Sequence, residues 1–226
     1  MGSKTNDRIP GFQTPTRMAD PTRLVVLISG TGTTLHNLIQ CIARGELPAR
    51  IVGVIASRSG IGGIARAEEA GIPVAIVPPG QKLSEQIFAT VERFQGELVV
   101  LAGWLHLLTI PEPWLGRVVN IHPSLLPAFG GRGMYGLRVH QAVLHYGAKV
   151  SGCTVHFADN QYDSGPIILQ AVVPVEDDDT PESLAARVFA QECEIYPRAI
   201  RLWCENRLRI EGRRVRILPA NPSAQG

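Results

Sequence analysis

The feature that most constrains the fold of this 226-residue chain is an alternation of short apolar runs with segments of helical periodicity. Residues 23–28, 49–55 and 98–102 are mostly apolar and rich in β-branched side chains, and helix-like segments follow the first two. Such runs suit strands buried on both faces, and the intervening segments suit helices packed on a sheet. The alternation predicts an α/β fold: an open, predominantly parallel, twisted sheet with helices on both faces and a Rossmann-like N-terminal half.

The other segments extend this pattern into one domain. We predict further strands at 72–77, 118–121, 151–157 and 166–175, a hairpin at 207–218, and helices at 35–43, 63–70, 84–94, 138–146 and 181–206. Residues 123–136 are too rich in Gly and Pro for regular structure. The domain is predicted to span residues 23–218, with a flexible leader at 1–22 and a frayed end at 219–226.

Composition argues against several classes of protein. The chain has 22 Lys and Arg against 20 Asp and Glu, without a basic stripe, so we expect no nucleic-acid partner. Its apolar runs are far shorter than the roughly 20 residues of a membrane-spanning helix, and residues 1–22 lack the apolar stretch of a signal peptide. The four cysteines are far apart, with no CxxC pair. We therefore expect a reduced, cytoplasmic protein without a metal site.

A Gly-rich turn, Ser-Gly-Thr-Gly-Thr-Thr at residues 29–34, lies between the first predicted strand and the first helix. Free N–H groups and the positive end of a helix dipole favour an anion at such a place, commonly a phosphate. The third glycine of the dinucleotide fingerprint and the lysine of the P-loop are both missing. The alternative is a tight turn with a Ser or Thr cap.

Asn120 and His122 end a predicted strand, and alternation places them on one face at the carboxyl edge of the sheet, where open α/β sheets bind ligands. An amide can donate to a developing oxyanion, and a neighbouring imidazole can move a proton near neutral pH. The alternative for His122 is a structural hydrogen-bonding role. Asp163 lies in a loop where Asp commonly forms turns. Of the other histidines, His156 points from a strand toward the same edge.

Taken in chain order, six segments resemble the folate-dependent formyltransferases, and among them glycinamide ribonucleotide formyltransferase. The segments are VVLISGTGTTL at 25–35, VVLAGW at 99–104, NIHPSLLP at 120–127, TVHF at 154–157, DSGPIILQ at 163–170, and Gln191-Glu192 with Tyr196-Pro197. Methionyl-tRNA formyltransferase and formyltetrahydrofolate deformylase carry similar boxes. The tRNA enzyme has a further C-terminal domain and the deformylase an N-terminal one, so we expect the glycinamide branch.

The resemblance implies a role for each matching residue. Asn120, His122 and Asp163 are the implied catalytic residues; Gly32, Thr33 and Thr34 would bind the ribose 5′-phosphate of the acceptor, with Gln191 and Glu192 near its sugar or amine. The folate would contact Leu105, His106, Leu107, Leu108, Asn120, Asp159, Asn160, Gln161, Tyr162 and Asp163. The implied co-substrate is 10-formyltetrahydrofolate, with no metal and no nicotinamide.

The resemblance leaves two rivals to formyl transfer onto 5′-phosphoribosylglycinamide. Hydrolysis of the same donor is one, since water could replace the amine, and a folate- or phosphoribosyl-binding protein without turnover is the other. An intact set of Asn120, His122 and Asp163 argues against a mere binder. The partners expected are small molecules, and the chain is expected to be a monomer or a homodimer.

Overall fold

The computed structural model describes residues 20–220. Most of the leader predicted at 1–22 and of the frayed end predicted at 219–226 therefore lies outside the described residues. No helix in residues 20–220 is long and apolar enough to cross a membrane.

Within residues 20–220, nine strands and five helices follow the order that the sequence predicts. The strands are β1 (Thr22–Ile28), β2 (Ala49–Ala56), β3 (Val74–Ile76), β4 (Leu98–Leu101), β5 (Val118–His122), β6 (Val150–Phe157), β7 (Ile167–Pro174), β8 (Leu208–Glu211) and β9 (Arg214–Ile217). The helices are α1 (Thr33–Ala43), α2 (Gly62–Glu69), α3 (Leu83–Arg93), α4 (Leu137–Tyr146) and α5 (Pro181–Cys204), with a 3₁₀ turn at Glu112–Trp114.

Several boundaries differ from the prediction by one or two residues, and two of the differences have local reasons. β3 begins only at Val74, because Pro73 has no N–H group to donate to a neighbouring strand. α5 ends at Cys204, two residues before the predicted end, and Asn206 takes a left-handed backbone conformation with φ 54°. Its start agrees with the prediction: Thr180 and Ser183 form a capping box, and Pro181 occupies the first turn.

The described strands form one sheet in the order β3-β2-β1-β4-β5-β6-β7-β9-β8. β3, β2, β1, β4 and β5 run parallel to one another. β6 is antiparallel to β5 and to β7, and β9 returns parallel to β7. The prediction of an open, predominantly parallel α/β sheet is confirmed, and the direction of the strands changes at β5, where the sheet meets the candidate site.

The sheet is buried on both faces, as the apolar runs predict. Along β1, Leu24, Val26 and Ile28 belong to one core cluster, which also includes residues of α1 and α5. Val25 and Leu27 belong to a second cluster that includes residues of α3. Successive side chains of a strand point to opposite faces, so this alternation shows that helices cover both sides of β1.

A proline interrupts α5, and a second helix compensates for it. Pro197 has no N–H group, so the carbonyl of Cys193, four residues earlier, loses its partner within the helix. The side-chain Nδ2 of Asn37 on α1 donates to this carbonyl over 3.0 Å. Asn37 therefore links α1, whose N-terminus faces the candidate site, to α5.

We predict that Asn37→Ala lowers the free energy of unfolding by about 1–3 kcal/mol, because a partly buried carbonyl is left without a partner. Chemical denaturation measures the effect. The same change in a Pro197→Ala background is the control, since alanine in place of the proline restores an N–H group for the Cys193 carbonyl. A loss of equal size in both backgrounds would contradict the assignment.

Candidate active site

A cavity of about 630 Å³ opens at the carboxyl ends of β4 and β5 and extends over β6. Its wall includes Leu101 of β4, Asn120 and His122 of β5, and His156 of β6. The sheet changes from parallel to antiparallel at this point, so loops from both halves of the chain converge there. Ligands of open α/β sheets bind at this kind of edge.

The side chains of Asn120 and His156 contact each other across two antiparallel strands. The two residues are direct partners in the β5–β6 register, which places their side chains on the same face. Asn120 Nδ2 lies 3.1 Å from His156 Nε2. The amide predicted at the strand end is therefore held on one side by a neighbouring imidazole.

His122 is 4% exposed and lies between a backbone carbonyl and a carboxylate. Its Nε2 is 2.9 Å from the carbonyl oxygen of Phe129, and its Nδ1 is 3.5 Å from Asp163 Oδ1. A carbonyl oxygen only accepts, so the network assigns a proton to Nε2. Nδ1 faces the carboxylate of Asp163. When Nδ1 also carries a proton, the His122 imidazolium and this carboxylate form an ion pair.

Asp163 is fixed by its own backbone and by the Gly-rich loop. It has a left-handed φ of 54°, and its Oδ2 accepts from the N–H of Gly131 over 2.8 Å. Gly130 lies against it, and a Cβ on Gly130 would stand 2.5 Å from Leu126 Cδ2. The loop predicted to be irregular thus contacts both His122 and Asp163 through backbone groups.

A third histidine of the cavity wall, His140 on α4, is 3% exposed. Its Nδ1 has no hydrogen-bond partner in the described part of the chain. Burial lowers the pKa of His140, and a positive charge on His122 lowers it further. The wall beside His122 therefore includes the neutral imidazole of His140, whose Nδ1 is available for a hydrogen bond to a ligand.

Two loop segments form the side of the cavity that leads away from His122. Leu107 donates its N–H to the Tyr162 hydroxyl over 3.2 Å, and Ile110 donates to Asn160 Oδ1 over 2.7 Å. Asp159 accepts hydrogen bonds from the Ser164 hydroxyl and from the N–H of Gln161. The segments 105–110 and 159–163 are therefore joined into one wall.

The Gly-rich turn stands at the N-terminus of α1. Gly32 is the N-cap, with φ 74°, and no side chain caps this helix end in the described structure. A Cβ on Gly32 would lie 2.5 Å from Gly63 Cα, so packing against α2 also requires glycine there. Thr34 lines the cavity, whereas Gly32 and Thr33 do not.

Glu192 of α5 supplies a second carboxyl group to the cavity wall. It is half-buried, and loss of hydration raises its pKa to about 7. At neutral pH this group therefore exists in both protonation states. The neighbouring Gln191 does not line the cavity.

The raised pKa of Glu192 predicts a pH dependence of stability. Between about pH 4.5 and 7 the folded protein keeps a proton that the unfolded chain releases, so this group's contribution to stability is lost as the pH rises through 7. We expect the free energy of unfolding to decrease between pH 5 and pH 8 in the wild type. This decrease should exceed that of the Glu192→Gln variant by at least about 1 kcal/mol. Urea unfolding at both values measures this, and equal decreases would contradict it.

The structure brings most of the predicted site residues to one cavity. Those that line it are Thr34, Leu105, His106, Leu107, Leu108, Asn120, His122, Asp159, Gln161, Tyr162, Asp163 and Glu192. Those that do not are Gly32, Thr33, Asn160 and Gln191.

The sequence interpretation missed other parts of the wall, among them Trp104, Ala185, Phe189 and the start of α4 at Leu137 and Arg138. Ala185 and Phe189 lie seven and three residues before Glu192, a helical spacing that could have predicted them once Glu192 was chosen.

A carboxamide beside a buried imidazole–carboxylate pair, at the carboxyl edge of an open α/β sheet, defines a site able to stabilise an oxyanion and to move a proton. Residues 22–200 match the family model for formyl transferases, and the chain belongs to the formyl transferase family. The resemblance predicted from the sequence is confirmed.

Named relatives agree with this assignment. The chain is 38% identical over 193 residues to the chloroplastic phosphoribosylglycinamide formyltransferase of Vigna unguiculata, covering 82% of this chain and 62% of the relative's length. Glycinamide ribonucleotide transformylase 1 from Symbiobacterium toebii superposes with a TM-score of 0.81 at 41% identity, covering 92% and 99% of the two chains. A formyltetrahydrofolate deformylase from Pseudomonas syringae shares the fold at 26% identity, with a TM-score of 0.79 and coverage of 89% and 67%.

Proposed function

We propose that this protein transfers the formyl group of 10-formyltetrahydrofolate to the amine of 5′-phosphoribosylglycinamide, a step of purine biosynthesis. The observation that carries the proposal is the meeting of Asn120, His122 and Asp163 in one cavity, within hydrogen-bonding networks that fix all three. The higher identity to a glycinamide ribonucleotide transformylase than to the deformylase supports the amine as acceptor.

In the proposed reaction the amine of the acceptor forms a bond to the formyl carbon of the folate, and the bond between that carbon and the folate nitrogen breaks. The proton lost by the amine passes to the folate nitrogen, which leaves as tetrahydrofolate. Asn120 Nδ2 donates one hydrogen toward His156, which leaves a second N–H for the oxygen of the tetrahedral intermediate. His122 shuttles a proton through Nδ1, and the negative charge of Asp163 stabilises the imidazolium across 3.5 Å. Asp163 also orders a water for proton transfer.

The two substrates occupy different parts of the cavity in this proposal. The phosphate of the acceptor binds at the edge of the cavity beside Thr34, where the N-terminus of α1 offers the N–H groups and hydroxyls of Gly32, Thr33 and Thr34. Gln191 and Glu192 lie near its sugar or amine. The pterin binds along the wall built from 105–108 and 159–163, whose size and mixture of apolar side chains and backbone polar groups suit a flat heterocycle.

We extend the proposal to the partners, the location and the oligomeric state of the protein. The partners are small molecules, the protein is cytoplasmic, and it works as a monomer or homodimer. In residues 20–220 no group of three or more His, Cys, Asp or Glu side chains could hold a metal ion.

The test is a spectroscopic assay of tetrahydrofolate formation with and without phosphoribosylglycinamide, with formate measured in parallel. We expect tetrahydrofolate only when the acceptor is present, and formylated acceptor in equal amount. Formate release without the acceptor would instead indicate a deformylase, and ligand binding without turnover would indicate a binding protein.

Placement of the phosphate makes a separate prediction at Gly30. This residue has an ordinary φ, and a Cβ there would meet nothing within 4 Å, so Gly30→Val is expected to fold normally. If the phosphate binds at the α1 N-terminus, the added side chain should raise the KM for the acceptor about 10-fold or more, because it keeps the phosphate from the N–H groups of the turn. The KM for the folate stays within about 2-fold.

Steady-state kinetics with each substrate varied in turn measure this effect. Gly80→Val is the matched control, because a Cβ at Gly80 also meets open space and the residue does not line the cavity. An equal rise in both KM values would place the phosphate elsewhere.

A further inference from the structure

His156 is the most buried of the four histidines that line the cavity, at 1% exposed, and both of its ring nitrogens have partners. Nδ1 lies 2.8 Å from the carbonyl oxygen of Phe157, and Nε2 lies 3.1 Å from Asn120 Nδ2. The ring is therefore clamped between its own strand and the side chain that faces it on β5.

The partner of Nδ1 assigns the tautomer of His156. A carbonyl oxygen has no hydrogen to give, so Nδ1 must carry the proton. Burial also lowers the pKa of His156, which disfavours the imidazolium. Nε2 is then unprotonated and can only accept.

The tautomer in turn assigns the orientation of the Asn120 side chain. An accepting Nε2 requires the NH₂ group of Asn120 on its side, because the Oδ1 atom would place two acceptors together. One N–H is used by His156, and the other is free for the cavity. A flipped amide would present only its carbonyl oxygen in that direction, which cannot stabilise a negative oxygen.

We propose that His156 is a positioning residue that holds the carboxamide of Asn120 with its N–H, and not its carbonyl, directed at the reacting oxygen. This inference rests on the proposed function for its kinetic consequence, though not for the geometry. His156 acts through Asn120 and donates nothing to the substrate itself.

The charged groups around the His156 ring determine whether the competing state, an imidazolium, can form. Asp163 Oδ1 lies 3.8 Å from His156 Nε2, and Asp163 and Asp159 favour an imidazolium, whereas His122 opposes it. An imidazolium would donate from Nε2 and would turn the Asn120 carbonyl toward itself. The proposal requires that the neutral ring prevails in the working enzyme.

The first experiment is a double-mutant cycle on the full chain. We expect His156→Leu to lower kcat about 10-fold or more with both KM values within about 3-fold, since an oxyanion donor is misdirected. His156→Gln, which keeps an accepting oxygen, is expected to retain more activity. In an Asn120→Ala background, His156→Leu should cost less than about 2-fold. The same loss in both backgrounds, or no loss in either, would overturn the proposal.

The second experiment uses the wild-type protein and so does not depend on whether a variant folds. Nitrogen-15 NMR of the histidine rings at pH 7 is expected to show His156 as the neutral tautomer protonated at Nδ1. A ring protonated at Nε2, alone or as an imidazolium, would refute the assignment. This measurement stands even if the enzyme proves to hydrolyse its donor, so failure of the proposed function and failure of this inference are distinguishable.

Discussion

Asp163→Asn is expected to lower the turnover number for formyl transfer about 10²-fold or more, the scale of positioned acid–base catalysis. The substitution removes the negative charge 3.5 Å from His122 Nδ1 while keeping a side chain of the same size. The oxygen of the new carboxamide can still accept from the Gly131 N–H, so the loop should remain in place. His122→Ala is expected to cost a similar factor, because the proton shuttle itself is lost.

Steady-state kinetics and a thermal melt of each variant check this prediction. Asp177→Asn is the control, since Asp177 is exposed and forms an ion pair with Lys149 away from the cavity wall. The double variant at His122 and Asp163 should lose little more than either single variant, because residues that act as a unit are not additive. Turnover near the wild-type level in either single variant would remove that residue from the mechanism.

Asn120→Ala is the second large effect expected, again about 10²-fold in kcat, because an oxyanion donor is lost. The loss should fall on kcat and kcat/KM together, since the donor acts on charge that develops only in the transition state. A change confined to KM would show that Asn120 binds the ground state of a substrate instead. The contacts that hold His122 and Asp163 come from Phe129 and Gly131, so their geometry should persist, and NMR of the His122 ring can verify it.

Much of the fold could be predicted because local signals decide it. The apolar runs of β1 and β4, and the N-cap and first-turn proline of α5, are properties of a few neighbouring residues. The strand directions in the C-terminal half were harder to predict from the sequence. Whether β6 runs beside β5 in parallel or antiparallel depends on how the loop 123–136 returns the chain, and its glycines permit many paths.

The candidate site shows the same difference between features set by neighbouring residues and features set by distant contacts. Asn120 and His122 could be placed together from alternation on one strand, and Asp163 came from the resemblance. The hydrogen bond from Asn120 to His156 depends on the register between two strands, and the contacts of Phe129 and Gly131 use backbone atoms that any sequence possesses. Such contacts do not depend on residue type, so they could not be predicted from the sequence.

The terminal hairpin shows a similar limit. Arg209 and Arg216 form exposed ion pairs with Glu211, as expected of arginines on a solvated face. Arg213, however, donates to the carbonyl of Ser164, the residue after Asp163, and β9 pairs with β7 at Ile167. The hairpin thus supports the loop that carries the carboxylate, which its composition did not predict.

The position of α5 in the chain has a consequence for synthesis on the ribosome. Tyr196 donates to the carbonyl oxygens of Leu101 and Val119, which are 95 and 77 residues earlier, and Glu192 completes the cavity wall. A nascent chain that already contains Asn120, His122 and Asp163 still lacks the helix that covers β4 and β5. These distant contacts close only after α5 has left the exit tunnel, so the wall of the cavity is completed late in translation.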